Sequence, residues 1–313
     1  MKLVIMLLLL MVVTAVVFCA SNWFQMWVLI ELGTLFFIPQ FSSNQKRVAA
    51  ISSWKYYVVQ SVSSSIMMMG ILLMTKDRWL FWEPELGYLV FSLSVMIKLG
   101  VPPFHSWMFH VSEMMDWFSF GLLNSVMKVP ALICVFFMVD SSQVWLLAMM
   151  VSSLFSSFCL SDFSIRRFLL FSSILNVSWL MMSCLVSKWV FVEFITLYSV
   201  MMILVCADLK SESASSFVSF VSSSEVNTNL CFMVNIASMS GVPPFASFLL
   251  KLEVLSMSDS IVSMVMLLFS AVLMFMYMYF IFVSLISTKS SLSRTNKLPF
   301  MMVIHTLWML FYF

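Results

Sequence analysis

Charge is scarce in this sequence. Of 313 residues only 10% are Asp, Glu, Lys or Arg, against about 25% in an average soluble domain. With 62% of residues hydrophobic, a soluble globular chain of this size cannot hide its apolar surface. Disorder is excluded by the same numbers, because it needs low hydrophobicity and high charge. A formal net charge of +2 leaves no electrostatic footprint for a nucleic-acid partner. Glycine is rare, at 6 residues, and neither G-x-G-x-x-G nor a P-loop string occurs to cradle a phosphate. Cysteine is sparse too. Cys19, Cys134, Cys159, Cys184, Cys206 and Cys231 are scattered, mostly within apolar runs, and none forms a C-x-x-C pair. They read as small apolar residues rather than metal or disulfide positions. Without a Cys cluster for iron–sulfur or paired mid-span His for haem, the chain shows no site for a nucleotide, flavin, metal or redox centre. What remains is an all-α, polytopic membrane protein.

What the sequence has in excess is long apolar runs. A spanning helix needs roughly 20 mostly apolar residues. Eleven segments qualify, at about 3–20, 22–40, 54–74, 86–103, 118–139, 143–160, 168–187, 189–208, 228–250, 258–287 and 299–313. The run after Met1-Lys2 resembles a signal peptide but is long for one, and we read it as a retained first helix. The longest polar connection, about 209–227, is Ser-rich. The 31 Met residues exceed what a bilayer requires, which points to the biased coding of an organellar genome that reads an extra codon as Met.

Basic residues orient the spans. With the N-terminus inside, the inner side receives Lys2, Lys46, Arg47, Lys55, Arg166, Arg167, Lys210, Lys289, Arg294 and Lys297. The outer side receives Lys76, Arg78 and Lys188. The other three, Lys98, Lys128 and Lys251, fall within or beside apolar segments. A Lys at the bilayer centre costs about 2.5–3.5 kcal/mol on insertion scales. Glu31 lies at the midpoint of 22–40, Lys128 at the midpoint of 118–139, and Lys98 deep in 86–103, whereas Lys251 closes its run and could snorkel to an interface. Such charges serve either as structural ion pairs or as proton-handling groups. Low polarity penalises the charged form of each group, and an opposite charge alongside restores it. A Glu–Lys pair at this depth can therefore exchange protons as its separation changes.

The helices around these charges are predicted to break. Pro102 and Pro103 lack N–H groups, so Pro102 frees the Lys98 carbonyl and Pro103 that of Leu99. Pro130 would likewise free the Val126 carbonyl. Irregular backbone at membrane depth is tolerated only when buried in protein or lining a wet cavity. The string Val-Pro-Pro-Phe at 101–104 recurs at 242–245, with Pro243 and Pro244. Five spans separate the two copies, so they cross in opposite directions, as in an inverted repeat of broken helices. His105 and His110 follow the first break and serve either as hydrogen-bonded structural residues or as proton relays. Asn124, Asn176 and Asn235 sit within spans, where they order water or bond neighbouring helices.

Four strings together carry a resemblance: Ile30-Glu31-Leu-Gly-Thr, Lys98-Leu-Gly-Val-Pro-Pro-Phe-His-Ser-Trp107, Arg166-Arg167-Phe-Leu-Leu-Phe-Ser-Ser-Ile174, and Ser240-Gly-Val-Pro-Pro-Phe-Ala-Ser-Phe-Leu-Leu-Lys251. The chain resembles the antiporter-like membrane subunits of mitochondrial NADH:ubiquinone oxidoreductase, respiratory complex I. Its length and span number point to the subunit 2 family rather than to the longer subunits 4 and 5. The resemblance implies one antiporter-like domain, with a first half of about 1–140, a second of about 141–287, and a C-terminal helix of about 299–313. It makes Glu31 the partner of the first-half lysine, Lys98 that lysine, Lys128 the central lysine and Lys251 the second-half lysine.

The departures are Phe109-His110 where Pro-Glu is usual, Ser240-Gly241 for two glycines, and Asn176 for a histidine. The implied function is proton translocation coupled to electron transfer from NADH to ubiquinone, with the subunit embedded in the mitochondrial inner membrane and its N-terminus on the matrix side. The implied partners are other complex I membrane subunits, lipid, protons and internal water. NADH, FMN, iron–sulfur clusters and ubiquinone belong by the same resemblance to other subunits, with no cofactor in this chain. The alternatives are a stand-alone cation/proton antiporter and a non-pumping structural subunit.

Overall fold

Serine disfavours helix interiors in water because its hydroxyl competes for the backbone. In an apolar setting the same hydroxyl has nowhere else to turn, and it bonds back onto its own helix. Ser94 Oγ donates to the Phe91 carbonyl at 2.6 Å and Ser172 Oγ to that of Leu169 at 2.8 Å. The Ser-rich apolar runs are accordingly helical. A computed structural model describes residues 2–41, 46–75, 84–138, 142–157, 164–212, 226–243, 245–258 and 261–287. Helices form throughout these residues, and no strand is found among them. Five helices are long and apolar enough to cross a bilayer: Arg47–Met74, Trp117–Phe137, Ile165–Val186, Lys188–Lys210 and Ile261–Tyr279. Val4–Val17 and Val144–Ser156 are apolar but shorter. Other predicted spans are interrupted here, and 299–313 lies outside the described residues.

The chain divides into two units, Met1–Ser152 and Ser153–Phe313. The first unit holds α1 (Lys2–Val17), α2 (Trp23–Phe37), α3 (Lys46–Thr75), α4 (Pro84–Leu99), α5 (Ser106–Ser112), α6 (Trp117–Asn124), α7 (Val129–Phe137) and most of α8 (Ser142–Ser156). Aromatic contacts bind it. Tyr56 of α3 meets Phe37, Phe41 and Trp107 at ring distances of 5.2, 5.4 and 6.2 Å. Leu10, Val111, Leu122 and Leu123 complete this buried cluster. Trp27 Nε1 donates to the Ser64 carbonyl at 3.0 Å, fixing α2 against α3.

The first break is built by glycine before proline is reached. Gly100 has φ +66°, the left-handed region open to glycine. Its N–H bonds the Ile97 carbonyl at 3.2 Å, and the Val101 N–H bonds that of Met96 at 3.1 Å. This pair of bonds is a Schellman ending. It closes α4 at Leu99, and the following prolines prevent any restart before Ser106.

The second unit holds α9 (Ile165–Val186), α10 (Lys188–Glu212), α11 (Val226–Ser240), α12 (Ala246–Met257) and α13 (Ile261–Ser287). Eighteen residues of α9 are buried, so α9 is the centre against which α10, α12 and α13 pack. A helix apolar all round belongs inside protein. Phe168 of α9 meets Tyr277 of α13 edge to face at 4.7 Å. The predicted span 228–250 divides into α11 and α12 around Gly241, whose φ is +83°. Pro243 lies in that turn, and Pro244 lies outside the described residues.

Gly100→Ala should destabilise the first unit. The left-handed φ alone costs about 1–2 kcal/mol, and an added Cβ would stand 1.9 Å from the Met108 sulfur. Gly33→Ala is the control, since its Cβ would meet nothing closer than Val13 at 3.9 Å. The expected result is a lower thermal midpoint of the full-length chain in detergent for Gly100→Ala alone.

Candidate functional site

Two parallel helices bring the first charges together. Trp23 of α2 meets Phe91 of α4 at a ring distance of 5.2 Å. Two turns further along each helix, Lys98 Nζ donates to Glu31 Oε1 at 3.4 Å. The Lys98 side chain is 3% exposed and that of Glu31 24%. A buried ammonium without a counter-charge would cost several kcal/mol, so Glu31 is what allows Lys98 its place. Lys98 also stands in the last turn of α4, where the helix dipole favours a cation.

A small cavity of about 20 Å³ lies beside this pair. That is room for one water molecule by the usual minimum of about 10–15 Å³. Lys98 and Lys128 both line it, together with the polar side chains of Thr14, Thr34, Tyr56 and Gln60. The spacing of the charges in sequence marked both lysines. It did not mark Thr14, Tyr56 or Gln60, and the only available signal was a polar residue inside an apolar run.

Lys128 is buried and ends a 3-10 turn, Val126–Lys128, between α6 and α7. This turn corrects the expectation for Pro130. The Val126 carbonyl is not freed, because the Val129 N–H reaches it in place of the missing proline donor. Pro130 falls in the first turn of α7, where a missing N–H carries little cost.

Past the first break, Phe104 N–H bonds the Val101 carbonyl at 2.9 Å. Trp107 Nε1 then donates to the Ile97 carbonyl at 3.1 Å, so α5 is tied to the end of α4. His105 packs edge to face on Phe109 at 5.7 Å, and His110 is exposed on α5. Neither histidine lines the cavity, nor do Pro102 and Pro103.

The second unit solves the same problem differently. Lys251 is buried, and its Nζ donates to the Ser240 carbonyl at 3.2 Å. Ser240 is the last residue of α11, and the residue four positions on is a proline with no N–H to offer. The carbonyl that the sequence leaves bare is therefore taken by an ammonium, at the helix end where the dipole favours it. The indole of Trp179 lies 5.9 Å from Nζ, within cation–π range. Ser247 Oγ donates to the Ser238 carbonyl, and Asn235 Nδ2 donates to Asp208 Oδ2 at 2.7 Å. Asn176 is buried in α9. Among the described residues no three His, Cys, Asp or Glu side chains group closely enough to hold a metal.

The family described as NADH:quinone oxidoreductase/Mrp antiporter, TM, matches residues 20–277. The NADH-ubiquinone oxidoreductase chain 2 of Locusta migratoria is 24% identical over 305 residues, covering 92% of this chain and 89% of that protein. Its counterpart in Anopheles gambiae is 25% identical over 288 residues, covering 88% and 82%. Among solved structures, a chain of respiratory complex I from Thermus thermophilus superposes with a TM-score of 0.74 at 14% identity, covering 94% of this chain and 72% of that one. At that identity the likeness is one of fold.

Trp107→Phe keeps the ring and removes one hydrogen bond. The expected loss is about 1 kcal/mol, read as a lower thermal midpoint of the full-length chain in detergent, with the Ile97 carbonyl still held by Gly100.

Proposed function

Because this chain belongs to the NADH:quinone oxidoreductase/Mrp antiporter family, we propose that it is the chain 2 membrane subunit of a respiratory NADH:ubiquinone oxidoreductase. It is a multi-pass protein of the mitochondrial inner membrane and contributes to moving protons across it. The observation that carries this is the Glu31–Lys98 ion pair beside a water-sized cavity that Lys128 also lines. We read the chain as one antiporter-like domain of eleven spans, its two Pro-broken helices forming an inverted repeat. The bias of basic residues supports an N-terminus on the matrix side. NADH, flavin, iron–sulfur and ubiquinone chemistry belongs to partner subunits, and the membrane arm supplies the neighbours.

A proton from a hydrated half-channel loads Lys98, Lys128 or both. Moving the Glu31–Lys98 pair from about 4 to about 8 Å at an effective dielectric near 20 weakens it by roughly 2 kcal/mol. That is several times thermal energy, enough to change which group holds the proton. Motion driven from neighbouring subunits supplies the displacement. We read Pro102, Pro103, Pro243 and Pro244 as the sequence marks of the two breaks, which keep irregular backbone beside Lys98 and Lys251. Lys251 is the corresponding proton station of the second unit.

In the assembled complex, reconstituted in vesicles, Lys98→Met should lower the protons translocated per NADH, and undiminished pumping would overturn the assignment. Glu31→Gln should slow turnover several-fold, and a neutral result removes the pair from the mechanism. Lys128→Met should uncouple pumping while leaving assembly intact. Loss of assembly with coupling retained in the residual complex would instead favour a structural subunit. Migration of the native chain alone on a native gel would favour a stand-alone antiporter.

A further inference from the structure

One acid in the second unit plays no part in the mechanism above. Asp208 stands one turn before the end of α10, and its carboxylate accepts the Asn235 amide at 2.7 Å. Asn235 lies nine residues into α11 and is fully buried. Its other polar atom, Oδ1, is buried with no hydrogen-bond partner. An amide oxygen left bare beside a carboxylate is an acceptor awaiting a donor, and ordered water is the usual one.

From Asn235 polar groups recur toward Lys251, alternating along α11 with Ile236, Ala237 and Met239. Ser238, one turn on, donates to the Asn235 backbone carbonyl at 2.6 Å and touches the Met201 sulfur at 3.2 Å. Ser247 of α12 reaches across to the Ser238 carbonyl. Lys251, one turn beyond Ser247 on the same helix face, donates to the Ser240 carbonyl at 3.2 Å. Asn235, Ser238, Ser247, Ser240 and Lys251 are all buried, and Asp208 alone is half-buried. The five steps from Asn235 to Ser240 rise only about 7.5 Å along the helix, a distance two or three hydrogen-bonded groups can bridge.

We propose that Asp208 is a proton-transfer residue, the outer end of a polar track along α11 that terminates on Lys251. This rests on the proton-translocating function proposed above. Asn235 and the two serines order the track and do not themselves ionise. The step moves a proton alone: the Asp208 carboxyl gives it up through ordered water to the Lys251 amine, leaving a carboxylate and an ammonium. Asp208 stands near the end of α10, whose last turn carries the basic Lys210. Lys210 is two residues on, and Arg166 shares with Asp208 electrostatic reach of the Cys206 thiol. Asp208 closes the apolar run 189–208, and the Asn235 amide whose N–H it accepts keeps its own oxygen for a further donor.

The test uses the assembled complex in vesicles. Asp208→Asn keeps a hydrogen-bonding side chain but cannot carry a proton. It should lower protons per NADH at least as much as Lys251→Met, and it should abolish one carboxyl band in the turnover infrared difference spectrum. Asp208→Glu should restore pumping and return the band at a shifted frequency. If Lys251→Met stops pumping while Asp208→Asn pumps normally, the track is wrong and the function stands. If neither variant changes pumping, the role of the second unit in translocation fails. Should Asp208→Asn not assemble, Asp208→Glu decides, because an unshifted band means that Asp208 does not change protonation during turnover.

Discussion

An ammonium group cannot be left alone in an apolar interior. The buried lysine beside each Val-Pro-Pro-Phe string is answered in its own way. In the first unit the answer is a carboxylate: Glu31 of α2 lies 3.4 Å from Lys98 of α4. In the second it is a backbone carbonyl: Lys251 binds that of Ser240, backed by the face of Trp179. The same Val-Pro-Pro-Phe string flanks both, yet the lysine precedes it in one case and follows it in the other. A charge pair responds strongly to separation. An ammonium on a helix end is bound by dipoles and gives up its proton against a gentler field. The two lysine seats thus differ in kind, although their sequences repeat.

Much of the first site was legible because a charge in an apolar run has few innocent explanations. Glu31, Lys98 and Lys128 announce themselves by contrast, and the prolines mark where helices must stop. The prolines nevertheless misdirect by a few residues. Gly100 terminates α4 through its own geometry, and Pro102 only forbids resumption. At Pro130 the helix is interrupted as expected, but a 3-10 turn changes the register of donors and satisfies the carbonyl that an α-helix would have left bare.

The polar residues around the cavity were not legible, and the reason is physical. Serine and threonine occur throughout these helices and mostly bond to their own backbone, so a Thr14 or a Gln60 at a functional cavity carries no mark that distinguishes it in sequence. Asp208 escaped notice for a different reason. It falls at the boundary of an apolar run, where a carboxylate reads as a solvated end, and only its partner Asn235 reveals that it is turned inward.

Gly241 shows how a seat can be shaped by what is missing. A methyl group in place of its hydrogen would stand 3.1 Å from the Lys251 ammonium, on a backbone at φ +83° that other residues rarely adopt. Every alternative side chain begins with that carbon. Any substitution there would press on the amine and strain the turn at once. A side chain at position 241 therefore acts on the lysine's perch and on the turn together, through the same added carbon.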